Sequence, residues 1–270
     1  MTSAVEVLDR VTRTVEYLRV DVGAGSGATE WLPCAPLVSD PAALGDLSRA
    51  TAAGRGTDRD DVATSLLVQG YAFRIASVAI GVWLLGDAVL DVSPARTAIA
   101  IGRHRPNAVR LEGPRLVAAD DPLRALHAEL VDGHLAPLVA TAHQACRVGE
   151  ALLWSNVGAS CASAFGAFMG PLPGRHGEIR DRAGAFFAAA RPELAGSGQV
   201  VAVGTAWAWE RKACCLWYRT TDGSRCADCS LWSDDERRER YDAAIAAQAD
   251  ATSGTRGTGR HDPRRFQRRH

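Results

Sequence analysis

Four of the chain's seven cysteines fall within 16 residues, in the segment RKACCLWYRTTDGSRCADCSLW, as Cys214, Cys215, Cys226 and Cys229. This C-C-x10-C-x2-C spacing limits the local fold more than any other feature. Adjacent residues of an extended chain point to opposite faces, so Cys214 and Cys215 can serve one site only if the backbone turns there. Four thiolates suit a tetrahedral zinc ion or a [2Fe–2S] cluster. Zinc ribbons present two CxxC-like pairs, and here only Cys226 and Cys229 form one; nor is this the plant-type ferredoxin spacing. The spacing by itself leaves iron and zinc both open.

The other cysteines, Cys34, Cys146 and Cys161, are scattered among Ala, Leu and Pro and read as small buried hydrophobes. A chain of 270 residues, 47% hydrophobic and 23% charged, is long enough and apolar enough to bury a large core. Its formal net charge is zero but unevenly placed. Residues 251–270 carry +5, which leaves −5 on residues 1–250 and gives no support to a nucleic-acid-binding body. The first twenty residues lack the unbroken apolar core of a signal peptide. The longest apolar run, Ile75 to Gly86, is too short to span a bilayer, so no transmembrane segment is expected. A reducing cytoplasm follows as the expectation, and with it free thiols rather than a disulfide framework.

Helical spacing predicts a first helix over 4–19, a short one after Pro41, a long one from Asp60 or Asp61 through Leu85, and further helices over 122–148 and 150–169. Residues 21–40, with GAGSG and two prolines, read as a loop. Between Thr97 and Val117 the pattern changes to short β-branched runs about GRHRPN, a hairpin with a polar connection. VVAVGTAWAW and CCLWY read as extended, and Ser233 with Glu236 makes a capping box for a last helix. The expected fold is α+β, predominantly helical with a small antiparallel sheet. Its divisions are a helical domain over 1–205, a cysteine segment over 206–232, a helix over 233–250 and a disordered basic tail over 251–270.

The cysteine segment resembles the C-terminal motif of the FhuF-like ferric siderophore reductases: a basic residue, an adjacent Cys pair followed by an aromatic pair, and CxxC after ten residues. Arg211–Lys212 and Trp217–Tyr218 stand where that pattern puts them, and ALLWSNVGASCASAF (151–165) is similar to the family's Leu-Trp-x-Asn stretch. Ser230 replaces the proline that many relatives carry after the last cysteine. The resemblance implies a [2Fe–2S] cluster on Cys214, Cys215, Cys226 and Cys229 and one-electron reduction of siderophore-bound Fe(III). It also implies an electron donor, of ferredoxin or flavin-reductase type, and a place in the cytoplasm or at the inner face of the membrane. The alternatives are a non-enzymatic iron–sulfur carrier or siderophore-binding module, and a structural zinc site.

No nucleophile–base motif, HExxH, Walker sequence or strand-linked GxGxxG accompanies the cysteines. Candidate substrate-binding residues are the cations Arg74, Arg103, Arg105, Arg219 and Arg225. Arg74 lies inside an apolar helix, where a guanidinium must find a carboxylate or a substrate. Arg103 and Arg105 flank His104 in the hairpin connection, and Arg219 and Arg225 flank the cysteines. Four of the seven tryptophans, Trp207, Trp209, Trp217 and Trp232, share the cysteine window and read first as core packing.

Overall fold

The computed structural model of the chain describes residues 3–23, 30–204 and 206–253. Helix α1 (Ala4–Thr14) begins with a reciprocal cap between Ser3 and Glu6 and buries Val7, Leu8 and Val11 along one face. It stops well short of residue 19. The stretch expected as loop instead holds strand β1 (Arg19–Val22), strand β2 (Trp31–Pro33) and helix α2 (Cys34–Ser39), while residues 24–29, most of the GAGSG run, lie outside the described residues. Helix α3 (Pro41–Ala52) leads to α4 (Asp60–Gly86), followed by β3 (Val89–Leu90), β4 (Thr97–Gly102), β5 (Arg105–Leu111) and β6 (Leu116–Val117). Helix α5 (Pro122–Leu126) passes through a π-helical stretch, His127–Leu135, into α6 (Ala136–Cys146), with Pro137 in its first turn. Then come α7 (Glu150–Gly166), α8 (His176–Ala188), α9 (Pro192–Ala195), a hairpin of β7 (Gly198–Val203) and β8 (Ala206–Arg211), and α10 (Asp234–Ser253).

The fold is α+β and mainly helical, as expected, but its largest sheet is mixed. The order is β1-β5-β4-β2, with β1 parallel to β5 and the other pairs antiparallel. The polar connection of the β4–β5 hairpin is only Arg103–His104, both at positive φ (51° and 61°), the backbone of a two-residue turn matched to strand twist. Arg105 and Asn107 belong to β5.

Helix α4 is the axis of the molecule. From Val62 to Leu84 it is buried on nearly every side, so its sequence shows no polar stripe. By length and composition it could cross a membrane, yet 78% of its apolar window is buried inside the protein, as a core helix would be. Its N-cap is Arg59; Asp61 accepts from the Val62 amide and from Arg59. Helix α7 runs against it and then against the β7–β8 hairpin, at a distance set by Gly158. A Cβ there would lie 2.2 Å from Ser197 Oγ and 2.9 Å from the Trp209 ring.

The Ser233–Glu236 capping box forms as expected. Its helix runs to Ser253, three residues into the expected tail, and residues 254–270 lie outside the described residues.

Candidate metal centre

CCLWY, expected as extended, is a turn. Leu216 takes the left-handed conformation at φ 66°, and Trp217–Arg219 forms one 3₁₀ turn closed by bonds to the Leu216 and Trp217 carbonyls. The adjacent Cys214 and Cys215 thiols nevertheless meet in a mutual hydrogen bond as the chain enters this turn. The Leu216 amide points at Cys214 Sγ, 3.4 Å away. A second tight turn, in which the Cys229 amide donates to the Cys226 carbonyl at 3.1 Å, returns the other pair. Cys215 Sγ and Cys226 Sγ lie 3.8 Å apart.

All four thiols interact. Hydrogen bonds from Cys214 and Cys226, reinforced by the charge of Arg211, hold Cys215 far below the ordinary thiol range. The same bonds, together with burial, push Cys214 and Cys226 far above it, and Cys229 adds its charge to the field at Cys214. Such a set cannot ionise together without positive charge among the sulfurs.

Its donors are soft and suit zinc or iron–sulfur chemistry. The 3.8 Å between Cys215 and Cys226 is a spacing at which two thiolates can share one metal at about 2.3 Å. Among the described residues, no three or more His, Cys, Asp or Glu side chains close round a single ion. Cys215 and Cys229 are buried, whereas Cys214 and Cys226 are half-buried and face the surface.

Three side chains from the helical body position this segment. Ser65 on α4 donates its hydroxyl to the Cys215 carbonyl at 2.8 Å. Asn156 on α7 donates Nδ2 to Ser65, both to its carbonyl (3.0 Å) and to its hydroxyl (2.8 Å), and accepts from Arg211 Nη2 through Oδ1. Arg211, its side chain wholly buried at the end of β8, also approaches Cys226 Sγ (4.0 Å) and Asp228 (3.8 Å). Beside Asn156, the Ser155 hydroxyl accepts from the Ala213 amide at 3.1 Å. The Trp-Ser-Asn part of the Leu-Trp-x-Asn stretch therefore places two side chains on the cysteine segment. Val62 and Leu66 of α4 pack on Cys215 as a small apolar cluster apart from the main core. On the far side, the Thr221 amide and hydroxyl both donate to the Gly56 carbonyl, at 2.8 and 3.0 Å. Ser65, Asn156, Thr221 and Gly56 had no standing as site residues in the sequence; only Asn156 lay in a recognisable motif.

The candidate arginines divide. Arg225 pairs with Glu236 at 3.1 Å and stacks on Trp232, and Arg219 lies against the Tyr218 ring within the field of Asp61. Arg74 finds no carboxylate among the described residues and bonds the Pro106 and Tyr17 carbonyls. Arg103 sits at the hairpin tip with Arg105 beside it. Trp209 is core, as the packing reading expects, and Trp232 caps the Cys226 carbonyl through its indole N–H at 2.9 Å. Trp217 and Tyr218 are exposed beside the first cysteine pair. A cavity of about 650 Å³ between α1, β1 and Trp31 touches none of the cysteines.

Fold and site together define a helical α+β protein whose body clasps a C-terminal four-thiol segment. Residues 65–198 match the family described as "Ferric iron reductase FhuF-like transporter", about half of the chain, and on that match the protein belongs to the FhuF-like family. The match opens at Ser65, contains Asn156, and ends before Cys214, so the cysteine motif lies outside it. No curated protein matches the chain.

Proposed function

We propose that this protein is a ferric siderophore reductase of the cytoplasm. In this reading residues 206–232 form a segment that holds a [2Fe–2S] cluster through Cys214, Cys215, Cys226 and Cys229. The observation that carries the reading is the gathering of four thiols, from two separate turns, against family-matched residues of α4 and α7. A cluster bound there supplies one electron at a time.

The chain's own residues prepare the site for that chemistry. Arg211 sets a buried positive charge beside the sulfurs, and the Leu216 amide offers Cys214 a hydrogen bond, both of which favour thiolates. Cys215 and Cys229 face inward, away from water, and the half-buried Cys214 and Cys226 leave one edge near the surface. Trp217 and Tyr218 flank that edge and offer an exposed aromatic face to a docking molecule. The substrate's Fe(III) is gripped by hard oxygen donors, which hold Fe(II) far more weakly, so one electron releases the metal with the siderophore intact. The electron comes from a separate donor, a ferredoxin or a flavin-reductase-like protein.

The test is anaerobic purification followed by a visible spectrum, iron and acid-labile sulfide analysis. The reduced protein is then mixed with a ferric siderophore and a ferrous chelator. Iron, sulfide and trapped Fe(II) in step with protein are expected. Zinc in place of iron would sink the reading, and a cluster that yields no Fe(II) would leave an electron carrier or binding module.

A further inference from the structure

Arg55 gives no signal in the sequence, where it is one cation in the glycine-bearing loop between α3 and α4. In the structure its guanidinium lies against Gly70 of α4, where an added Cβ would come 3.7 Å from Arg55 Nη2. Its Nε donates to the His104 carbonyl at 2.9 Å, which fixes the group, while Nη2 is buried and has no hydrogen-bond partner among the described residues. One helical turn beyond Gly70 stands Arg74, half-buried, its Nε bonded to the Pro106 carbonyl at 3.2 Å. The charge of Arg105, exposed on β5, reaches both.

The charges these groups feel are mostly of their own sign. Burial and the repulsion of Arg105 push Arg55 down to about 10, and burial with Arg105 and Arg19 lowers Arg74, opposed only by the phenol of Tyr17. Two half-buried guanidinia within the field of a third cation, with no carboxylate paired to them among the described residues, are costly, and an anion beside them would offset the cost.

Their position joins this cluster to the cysteines twice. Val62, Leu66, Gly70 and Arg74 follow one another at four-residue intervals along α4. The first two pack on Cys215, and the rise from Leu66 to Gly70 is about 6 Å. Gly56, next to Arg55, is the residue whose carbonyl takes both bonds from Thr221 of the cysteine loop. The hairpin tip is seated by Gly54, which has no room for a side chain because the His104 ring occupies that space.

We propose that Arg55, Arg74 and Arg105 form an anion subsite that takes the charged oxygens of the substrate, and that the preferred substrates are ferric complexes of net negative charge. This specificity rests on the reductase reading, but the binding can be tested without electron transfer. Gallium(III) has the charge of ferric iron and a similar size and accepts no electron under these conditions. The probes are the gallium complex of a tricatecholate, a trianion, and the neutral gallium complex of a trihydroxamate. Each is titrated into the full-length protein by fluorescence quenching or calorimetry.

Arg55→Gln is expected to weaken the trianion about tenfold and the neutral complex by less than about twofold, the size of one lost charge-assisted contact. Arg55→Lys should recover part of the loss. Arg105→Gln, at an exposed position where folding is not at risk, should cost about threefold and flatten the salt dependence. Equal weakening of both complexes, or a trianion affinity unmoved in both glutamine variants, would overturn the proposal. If the gallium trianion binds through these arginines but no ferric complex is reduced, the subsite stands and the reductase reading falls. Reduction that proceeds indifferent to Arg55 and Arg105 would remove the subsite alone.

Discussion

Replacing Asn156 with alanine removes three hydrogen bonds at once, two donated to Ser65 and one accepted from Arg211. The wholly buried guanidinium of Arg211 is then left with Asp228 at 3.8 Å and Cys226 Sγ at 4.0 Å, both beyond good hydrogen-bond reach. Its Nε already lacks a partner among the described residues. Losing a bond to a buried charge costs about 1.5–3 kcal/mol, and the lost donations to Ser65, whose carbonyl keeps its place in the α4 ladder, add about 1 kcal/mol, so a total near 3 kcal/mol is expected. In a chain of this size that corresponds to a fall in Tm of about 6–12 °C. The assay is thermal melting by circular dichroism, with iron content of the anaerobically purified protein measured alongside. Asn156→Asp keeps an acceptor for Arg211 and loses only the donation to Ser65, so it should melt between the two. An alanine variant that melts within about 1 °C of the parent and keeps its iron would refute the idea that Asn156 ties the cysteine segment to the body.

Serine at Cys214, Cys215, Cys226 or Cys229 should each abolish bound iron. Serine at Cys34, Cys146 or Cys161 should preserve it, and iron retained in full by Cys229→Ser would undo the ligand set. His134, buried between the Tyr71 hydroxyl and the Val92 carbonyl, is pushed by burial down to about 4 from an ordinary 6.5. The folded state thus holds His134 neutral, so its contribution is intact above about pH 6.5 and is lost as the pH falls toward 4, by about 3 kcal/mol in all. Melting curves across that window should show the decline, and His134→Asn, though less stable at neutral pH, should show less of it; parallel declines would contradict the assignment. Gly158→Ala should destabilise by about 1–3 kcal/mol in urea unfolding, against the gain of about 1 kcal/mol that alanine gives in an unconstrained helix. A neutral or stabilised variant would mean that α7 and the β7–β8 hairpin do not pack at the described distance.

What the sequence disclosed was the chemistry carried by residue type. Cysteine spacing pointed to the candidate site and to a backbone turn at the adjacent pair; a turn follows directly after them, with Leu216 in the left-handed region that no propensity of leucine announces. The long α4 was legible from its apolar run, and the Ser233–Glu236 cap from its spacing. Strands β1 and β2 were not, because four and three residues carry too little periodicity, and β1 exists through pairing of Arg19 with Ala108, far away in the chain. Arg55 was invisible for a related reason. A lone arginine beside two glycines looks like a solvated loop until the fold lays it on Gly70. Asn156 could be read as part of a motif, but that it bridges Ser65 and Arg211 depends on α4, α7 and β8 meeting in space.

The bonds that seat the cysteine segment join partners very distant in sequence: Ser65 to Cys215, 150 residues apart, and Gly56 to Thr221, 165 apart. Chains leave the ribosome from their N-terminus, at about 5–20 residues per second, and contacts of such separation form late. The receiving surface of α4 and α7 is therefore synthesised well before the thiols that will rest on it. For several seconds of synthesis that surface stands uncovered, and the cysteines reach it only after α8, α9 and the β7–β8 hairpin have been made. Closure of the segment is then a step after translation of the helical body that receives it. Conditions that delay that closure, such as oxidant, would act on nascent thiols while the receiving helices are already in place.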